Sequence, residues 1–173
     1  MASLADVRKE SVDDMAGRLL EQLADLGQTV ATAESLTGGL LAARLTDVPG
    51  ASRSFVGGVV TYATRTKESV LGIPHDLVEQ HGVVSQECAT AMACGVRSRL
   101  GTTWGIATTG VAGPDVQDGH PVGTVWIAVA GPGSEWAQLL HLDGTRHDIR
   151  EATCRQAMSV LGGILDREEP GLG

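Results

Sequence analysis

The sequence predicts an α/β domain of three layers, α/β/α, with helices over both faces of a mixed central sheet. β-rich runs and helical periodicities alternate along nearly the whole chain. The last two runs, at 124–130 and 136–142, follow one another through Gly131-Pro132-Gly133-Ser134, a hairpin-like link that adds an antiparallel part to the sheet. The length, 173 residues, matches one domain with one sizeable core, and 42% hydrophobic residues suffice to build it.

Each element has a local reason. Val7, Val12, Met15, Leu19, Leu23 and Leu26 fall mostly three or four apart, the pattern of an amphipathic helix, and Gly27 stops it. Thr29 to Ala33 reads as a first strand. Glu34-Ser35-Leu36-Thr37-Gly38-Gly39 turns the chain into a helix from Leu40 to Leu45, ended by Asp47-Val48-Pro49-Gly50. Val56 to Ala63 is a second strand, followed by a polar turn at Thr64-Arg65-Thr66, a short helix near Lys67 to Leu71 and another after Pro74. Ser85 is placed to cap a long helix reaching Leu100, with Ala89, Met92, Ala93 and Val96 inward and Gly101 at its close. Trp104 to Thr109 reads as a buried strand. A Gly/Pro/Asp-rich loop covers Gly110 to Val122, and Thr124 to Ala130 and Trp136 to Leu142 are strands. Asp143-Gly144-Thr145 leads into a closing helix, Arg146 to Leu165. One domain is expected over residues 1–167, with 168–173 a frayed tail, and no internal repeat or linker interrupts it.

Composition narrows the chemistry. Thirteen Lys and Arg against 21 Asp and Glu leave a net charge of −8, which disfavours nucleic-acid backbones and anionic membranes. Any phosphate ligand must therefore be held locally. Aromatic residues make up 3% of the chain, so no stacking platform for single strands is expected, and the core must be Ala, Val, Leu and Ile. Met1 to Ser11 carries charges where a signal peptide would be apolar, and no run reaches about 18 apolar residues, so a cytoplasmic protein is expected. Cys88, Cys94 and Cys154 form no C-x-x-C pair and read as reduced, buried thiols. The five histidines include no H-E-x-x-H and no zinc-type cluster, and neither a P-loop nor a G-x-G-x-x-G helix start is present, so no metal or cofactor is expected.

Four segments could carry chemistry. Ser35 stands between a strand and a helix, where free backbone N–H groups favour a developing oxyanion or a phosphate, and Gly38 and Gly39 would admit a substrate to the backbone. Helix capping by Ser35 or Thr37 is the ordinary alternative. Tyr62 and Lys67 form a second pair, since a desolvated lysine can activate a serine without histidine and a tyrosine can help relay the proton. An exposed lysine and a packed tyrosine would look the same in sequence. The loop Thr109-Gly110-Val111-Ala112-Gly113-Pro114-Asp115 can offer N–H groups to a ligand or be a tight turn alone. Arg146 and Arg150, one helical turn apart, make a local anion site or ordinary surface pairs with Asp148 and Glu151.

Taken together, Ala33-Glu34-Ser35-Leu36-Thr37-Gly38-Gly39, Val60-Thr61-Tyr62, Lys67, Gly82-Val83-Val84-Ser85, Gly110-Val111-Ala112-Gly113-Pro114 and Pro121-Val122-Gly123-Thr124 resemble the CinA C-terminal domain family, the nicotinamide-nucleotide amidohydrolases or NMN deamidases. The resemblance runs from about Thr29 to Met158. It implies an α/β/α fold and metal-independent hydrolysis of nicotinamide mononucleotide to nicotinic acid mononucleotide and ammonia, within pyridine nucleotide salvage. It places the family's nucleophile on Ser35, its general base on Lys67 and its assisting tyrosine on Tyr62. Further active-site hydroxyls fall on Ser52 and Thr109, and the family arginine on Arg146, with Arg150 as second choice. N–H groups near Thr37 and Gly38 would receive the oxyanion, with Gly39 and Gly110 shaping the substrate's approach. Leu36 stands where many relatives have cysteine. Some relatives carry an N-terminal molybdopterin-binding-like domain with pyrophosphatase activity, which is not expected here. The resemblance also suggests a homo-oligomer. Two other readings stay open: a catalytically silent nucleotide- or partner-binding module, and a Ser/Lys amidase for another small amide.

Overall fold

In this computed structural model, which describes residues 10–168, the chain builds a five-stranded sheet in the order β2-β1-β3-β4-β5. The strands are β1 (Val30–Glu34), β2 (Phe55–Val60), β3 (Trp104–Gly110), β4 (Thr124–Gly131) and β5 (Ser134–His141). β1 pairs in parallel with β2 and β3, while β4 is antiparallel to β3 and to β5. The helices are α1 (Val12–Asp25), α2 (Leu40–Thr46), α3 (Thr64–Leu71), α4 (His75–His81), α5 (Gln86–Leu100) and α6 (Arg146–Glu168). The mixed three-layer architecture is therefore as the sequence predicts.

Each face of the sheet carries its own core. On one, Met15, Leu19 and Leu23 of α1, Leu41 and Leu45 of α2 and Ile149, Met158 and Leu161 of α6 pack over Val30, Trp104, Ile106, Ile127 and Val129. On the other, Met92, Ala93 and Val96 of α5, with Leu71 of α3, lie on Ala31, Ala33, Ala107, Ala128 and Ala130. The second face is almost entirely alanine, so α5 descends close to the strands. A Cβ on Gly105 would stand 2.2 Å from the Ala93 carbonyl oxygen, and one on Gly95 would stand 2.6 Å from the Leu71 carbonyl oxygen where α3 crosses. Small residues thus replace aromatic bulk as the means of filling this layer.

Four boundary differences from the sequence reading bear on the site and the hairpin, the others being shifts of one to three residues. Thr64-Arg65-Thr66 forms the first turn of α3, with the Thr66 hydroxyl donating to the Ala63 carbonyl at 2.6 Å, so Lys67 lies a turn inside the helix. β2 stops at Val60 because its ladder with β1 ends at the Glu34–Val60 pair. β5 begins at Ser134, leaving Pro132-Gly133 as a two-residue connection with Gly133 at φ 74°. Exposed Ser134 and Glu135 extend that ladder, and a reading of hydrophobic runs misses them. β1 reaches Glu34, which makes Ser35 the first residue beyond the strand. The helical turn expected at Val7 and all but the first residue of the expected tail lie outside the described residues, while Glu168 ends α6. Cys88 and Cys154 are buried and Cys94 is half-buried, all as free thiols. No described helix is long and apolar enough to cross a membrane.

Gly105→Ala is expected to cost about 1–3 kcal/mol in urea unfolding, since α5 must be pushed off the sheet. Gly17→Ala on α1, where nothing lies within 4 Å of the added carbon, is expected to be neutral or stabilising by up to about 1 kcal/mol.

Candidate active site

The parallel strands β1, β2 and β3 end at the same edge of the sheet, the edge where open α/β sheets hold their ligands. Ser35 follows β1, Thr61 and Tyr62 follow β2, and Thr109 and Gly110 end β3. Ser35, Tyr62, Thr109 and Gly110 border a cleft of about 290 Å³, which Lys67 and Arg146 also line. Its further wall is the loop after β3, with Asp115, Val116 and Gln117 facing the space.

Lys67 is the most unusual residue here. It is 1% exposed, and no carboxylate among the described residues pairs with it. Burial holds its pKa below the ordinary lysine value, with the Cys88 thiol opposing weakly. Its Nζ donates to the Thr61 carbonyl at 2.6 Å and lies 3.0 Å from Ser35 Oγ and 3.4 Å from the Tyr62 carbonyl. The surface lysine that the sequence alone leaves open is thereby excluded. As an ammonium, Nζ donates to Ser35 Oγ; as a neutral amine it offers a lone pair to the Ser35 O–H across the same distance. Burial pushes the Cys88 thiol up to about 11, so it stays protonated beside the lysine.

The turn carrying Ser35 is held from several sides. The Ser35 N–H donates to the Thr108 carbonyl at 3.0 Å, continuing the sheet by one bond. The Gly38 N–H donates to the Ser35 carbonyl at 3.0 Å, and Gly38 and Gly39 have φ of 58° and 98°, values that glycine adopts without strain. Glu34, 1% exposed, accepts the N–H groups of Leu41 and Ala42 at 2.8 and 3.1 Å, so its carboxylate satisfies the start of α2. The sequence reading gave Glu34 no role. Its signal was an ionisable residue at the end of a buried strand, seven and eight residues before the two amides at the helix start that it accepts.

The other expected site residues separate into two groups. Tyr62, Thr109, Gly110 and Arg146 line the cleft. Arg146 Nη2 donates to the Tyr62 hydroxyl at 3.0 Å and Nη1 to the Gly113 carbonyl at 2.5 Å, joining two walls. Tyr62 therefore meets the lysine through its main-chain carbonyl and the arginine through its phenol. Thr109 donates its hydroxyl to the Val83 carbonyl at 2.7 Å, leaving its oxygen as an acceptor. The remainder are not in the cleft lining. Arg150 Nε donates to the Leu36 carbonyl at 3.0 Å and Nη2 to the Thr37 carbonyl at 2.8 Å. Thr37 is buried, with its hydroxyl 2.7 Å from that of Thr108 on the side of α1 and α6, and Gly38 and Gly39 bound the turn. The Gly38 N–H, expected to face an oxyanion, is already taken by Ser35. Among the described residues no acceptor pairs with the N–H groups of Leu36 and Thr37. Ser52 is a correction of place: it is exposed on the 3₁₀ turn Ala51–Arg53 that enters β2, at the opposite end of the parallel strands. Spacing along the chain could not show that the strand separates it from the cleft.

The arginines share one face because α6 starts sharply. The Thr145 N–H donates to Asp148 Oδ2 at 2.8 Å and the Asp148 N–H to Thr145 Oγ1 at 3.2 Å, a reciprocal cap that puts Arg146 at the first helical position. Arg150 follows one turn later.

The profile of the CinA C-terminal domain matches residues 12–165. The chain belongs to this family. A CinA-like protein of Frankia casuarinae is 50% identical over 153 residues, covering 88% of this chain and 35% of that protein. A putative competence-damage inducible protein of Desulforamulus reducens is 46% identical over 156 residues, covering 90% of this chain and 37% of that one. This family member thus spans about a third of the length of those relatives. The crystal structure of a competence-damaged protein (CinA) superfamily protein from Klebsiella pneumoniae matches with a TM-score of 0.89 at 32% identity, covering 91% of this chain and 99% of that one. The competence/damage inducible protein CihA from Agrobacterium tumefaciens matches with a TM-score of 0.85 at 35% identity, over 90% and 95% of the two chains.

Glu34→Ala should lower the unfolding free energy by about 2–4 kcal/mol, because two amides bonded to a charged group lose their acceptor. Hydrogen exchange should accelerate at Leu41 and Ala42 first. Unchanged exchange there would refute the capping role.

Proposed function

We propose that this cleft is the active site of a metal-independent amidohydrolase that deamidates nicotinamide mononucleotide to nicotinic acid mononucleotide and ammonia. The observation that carries the reading is the 3.0 Å approach of a buried lysine, unpaired with any described carboxylate, to the hydroxyl of Ser35. The family assignment supports it, and the nearby arginine supplies a group for a substrate phosphate.

The chemistry follows from the geometry. Neutral Lys67 takes the Ser35 proton as Oγ bonds to the carboxamide carbon, and the carbonyl oxygen becomes an oxyanion that the free N–H groups of Leu36 and Thr37 can meet. The resulting ammonium returns its proton to the amide nitrogen as the C–N bond breaks, releasing ammonia and leaving an ester on Ser35. Water then attacks that ester with Lys67 again taking a proton, and the proton returns to Ser35 Oγ as the carboxylic acid leaves. Thr109 Oγ1, an acceptor towards the cleft, suits the carboxamide N–H. Arg146 suits the phosphate, since two of its donors hold the walls and the rest remain for a ligand.

Purified protein is expected to release ammonia from nicotinamide mononucleotide in the presence of a chelator, and Ser35→Ala to lose more than about 10³-fold. Equal release by both would remove the nucleophile assignment. The nucleoside lacking the phosphate should turn over with a much raised KM, as should the mononucleotide with Arg146→Ala. Equal turnover of nucleoside and nucleotide would move the reading to another small amide.

The pH dependence has a definite sign. Only neutral Lys67 accepts a proton, and burial lowers its pKa, so kcat/KM should rise with pH through a group titrating below the ordinary lysine range. Lys67→Met should remove both the activity and that ionisation. A rising limb centred at the ordinary lysine value would refute the base assignment.

A further inference from the structure

The guanidinium of Arg150 is spent on main chain. It donates to the carbonyl oxygens of two consecutive residues, Leu36 at 3.0 Å and Thr37 at 2.8 Å, the two that directly follow Ser35. A peptide unit is planar and trans, so its carbonyl and its N–H point in opposite directions. Holding the Leu36 carbonyl towards α6 therefore turns the Thr37 N–H away from α6. Holding the Thr37 carbonyl does the same to the Gly38 N–H, which is the one that closes onto the Ser35 carbonyl. That carbonyl belongs to the same peptide as the Leu36 N–H, so the second unpaired amide is oriented as well. Carbonyl dipoles beside the nucleophile would oppose an oxyanion, and Arg150 neutralises two of them while orienting two amides.

We propose that Arg150 is a positioning residue that aims the Leu36 and Thr37 amides at the oxyanion formed when Ser35 attacks, and that it does not bind the substrate's phosphate. This rests on the reading of Ser35 as nucleophile. It divides two arginines one turn apart on α6: Arg146 lines the cleft and serves the ligand, and Arg150 serves the backbone beneath it. The anchor is firm, because the neighbouring Ile149 is fully buried and Thr153 Oγ1 donates to its carbonyl at 2.7 Å.

The test uses a reaction with no phosphate-bearing substrate. An uncharged alkyl fluorophosphonate forms a bond from Ser35 Oγ to phosphorus as fluoride leaves and Lys67 takes the serine proton, and the phosphoryl oxygen needs the same amides. Labelling is followed by intact mass, beside kcat and KM for ammonia release. Arg150→Ala is expected to slow labelling and lower kcat by about 10²-fold with KM little changed. Millimolar guanidinium should restore part of both, and Arg150→Lys should retain an intermediate rate. Labelling at the wild-type rate, with KM raised and kcat kept, would assign Arg150 to the substrate and overturn the proposal. A folded Arg150→Ala that guanidinium cannot rescue overturns it also. Wild type that neither labels nor releases ammonia differently from Ser35→Ala removes the nucleophile reading, and this proposal with it.

Discussion

A lysine amine out of water with no counter-charge is the constraint on which this site depends. Its charged form loses hydration that two main-chain carbonyls only partly replace, so burial shifts the equilibrium towards the free base. The fold enforces that burial by carrying the chain from β2 directly into α3, with Lys67 one turn inside the helix and pointing back at the strand it has just left. An exposed lysine at the helix start would keep its full hydration and stay protonated at neutral pH, with no lone pair to accept a proton. The position of one helix boundary thus decides whether a buried amine stands beside Ser35.

The sheet supplies the rest by convergence. β1 lies between β2 and β3 with all three running the same way, so the residues at their ends come together although separated by 27 to 74 positions in sequence, as Tyr62, Ser35 and Thr109 show. The alanine face lets α5 settle close, and the Val83 carbonyl before that helix reaches the Thr109 hydroxyl. On the opposite face α6 brings two guanidiniums over the Ser35 turn. Each layer of the fold therefore contributes a different polar function to a single edge.

The architecture was legible because alternation and the helix-free link at 131–134 are local signals. The site was legible only in outline. Ser35 at a strand-to-helix turn could be placed from chain position, but whether Lys67 was exposed or buried depended on three polar residues, Thr64-Arg65-Thr66, joining a helix rather than a turn. Hydrophobic periodicity has no term for that; the Thr66 hydroxyl on the Ala63 carbonyl settles it. Ser52 shows the converse. The resemblance groups it with Ser35, yet β2 carries the chain along its full length between Ser52 and Tyr62. Glu34 escaped, and Arg150 was read only as an anion-site candidate, because both bind main chain and a sequence records side chains.

Charge poses a last question of scale. The chain carries a net −8, so a phosphorylated substrate of the kind proposed approaches against the overall field. At physiological ionic strength that field decays within about 8 Å, whereas a guanidinium in the cleft acts at contact, where water is partly excluded. Long-range repulsion slows encounter modestly and short-range pairing decides binding. The arrangement also limits competition: a polyanion such as nucleic acid must meet the acidic surface over many positions, while a small nucleotide meets only the cleft. Under the proposed function, an acidic surface with a guanidinium in the cleft would therefore favour small monoanionic or dianionic ligands over polymers carrying the same group. This follows from the distribution of its charges and does not depend on which small amide is taken as the substrate in the proposed reaction.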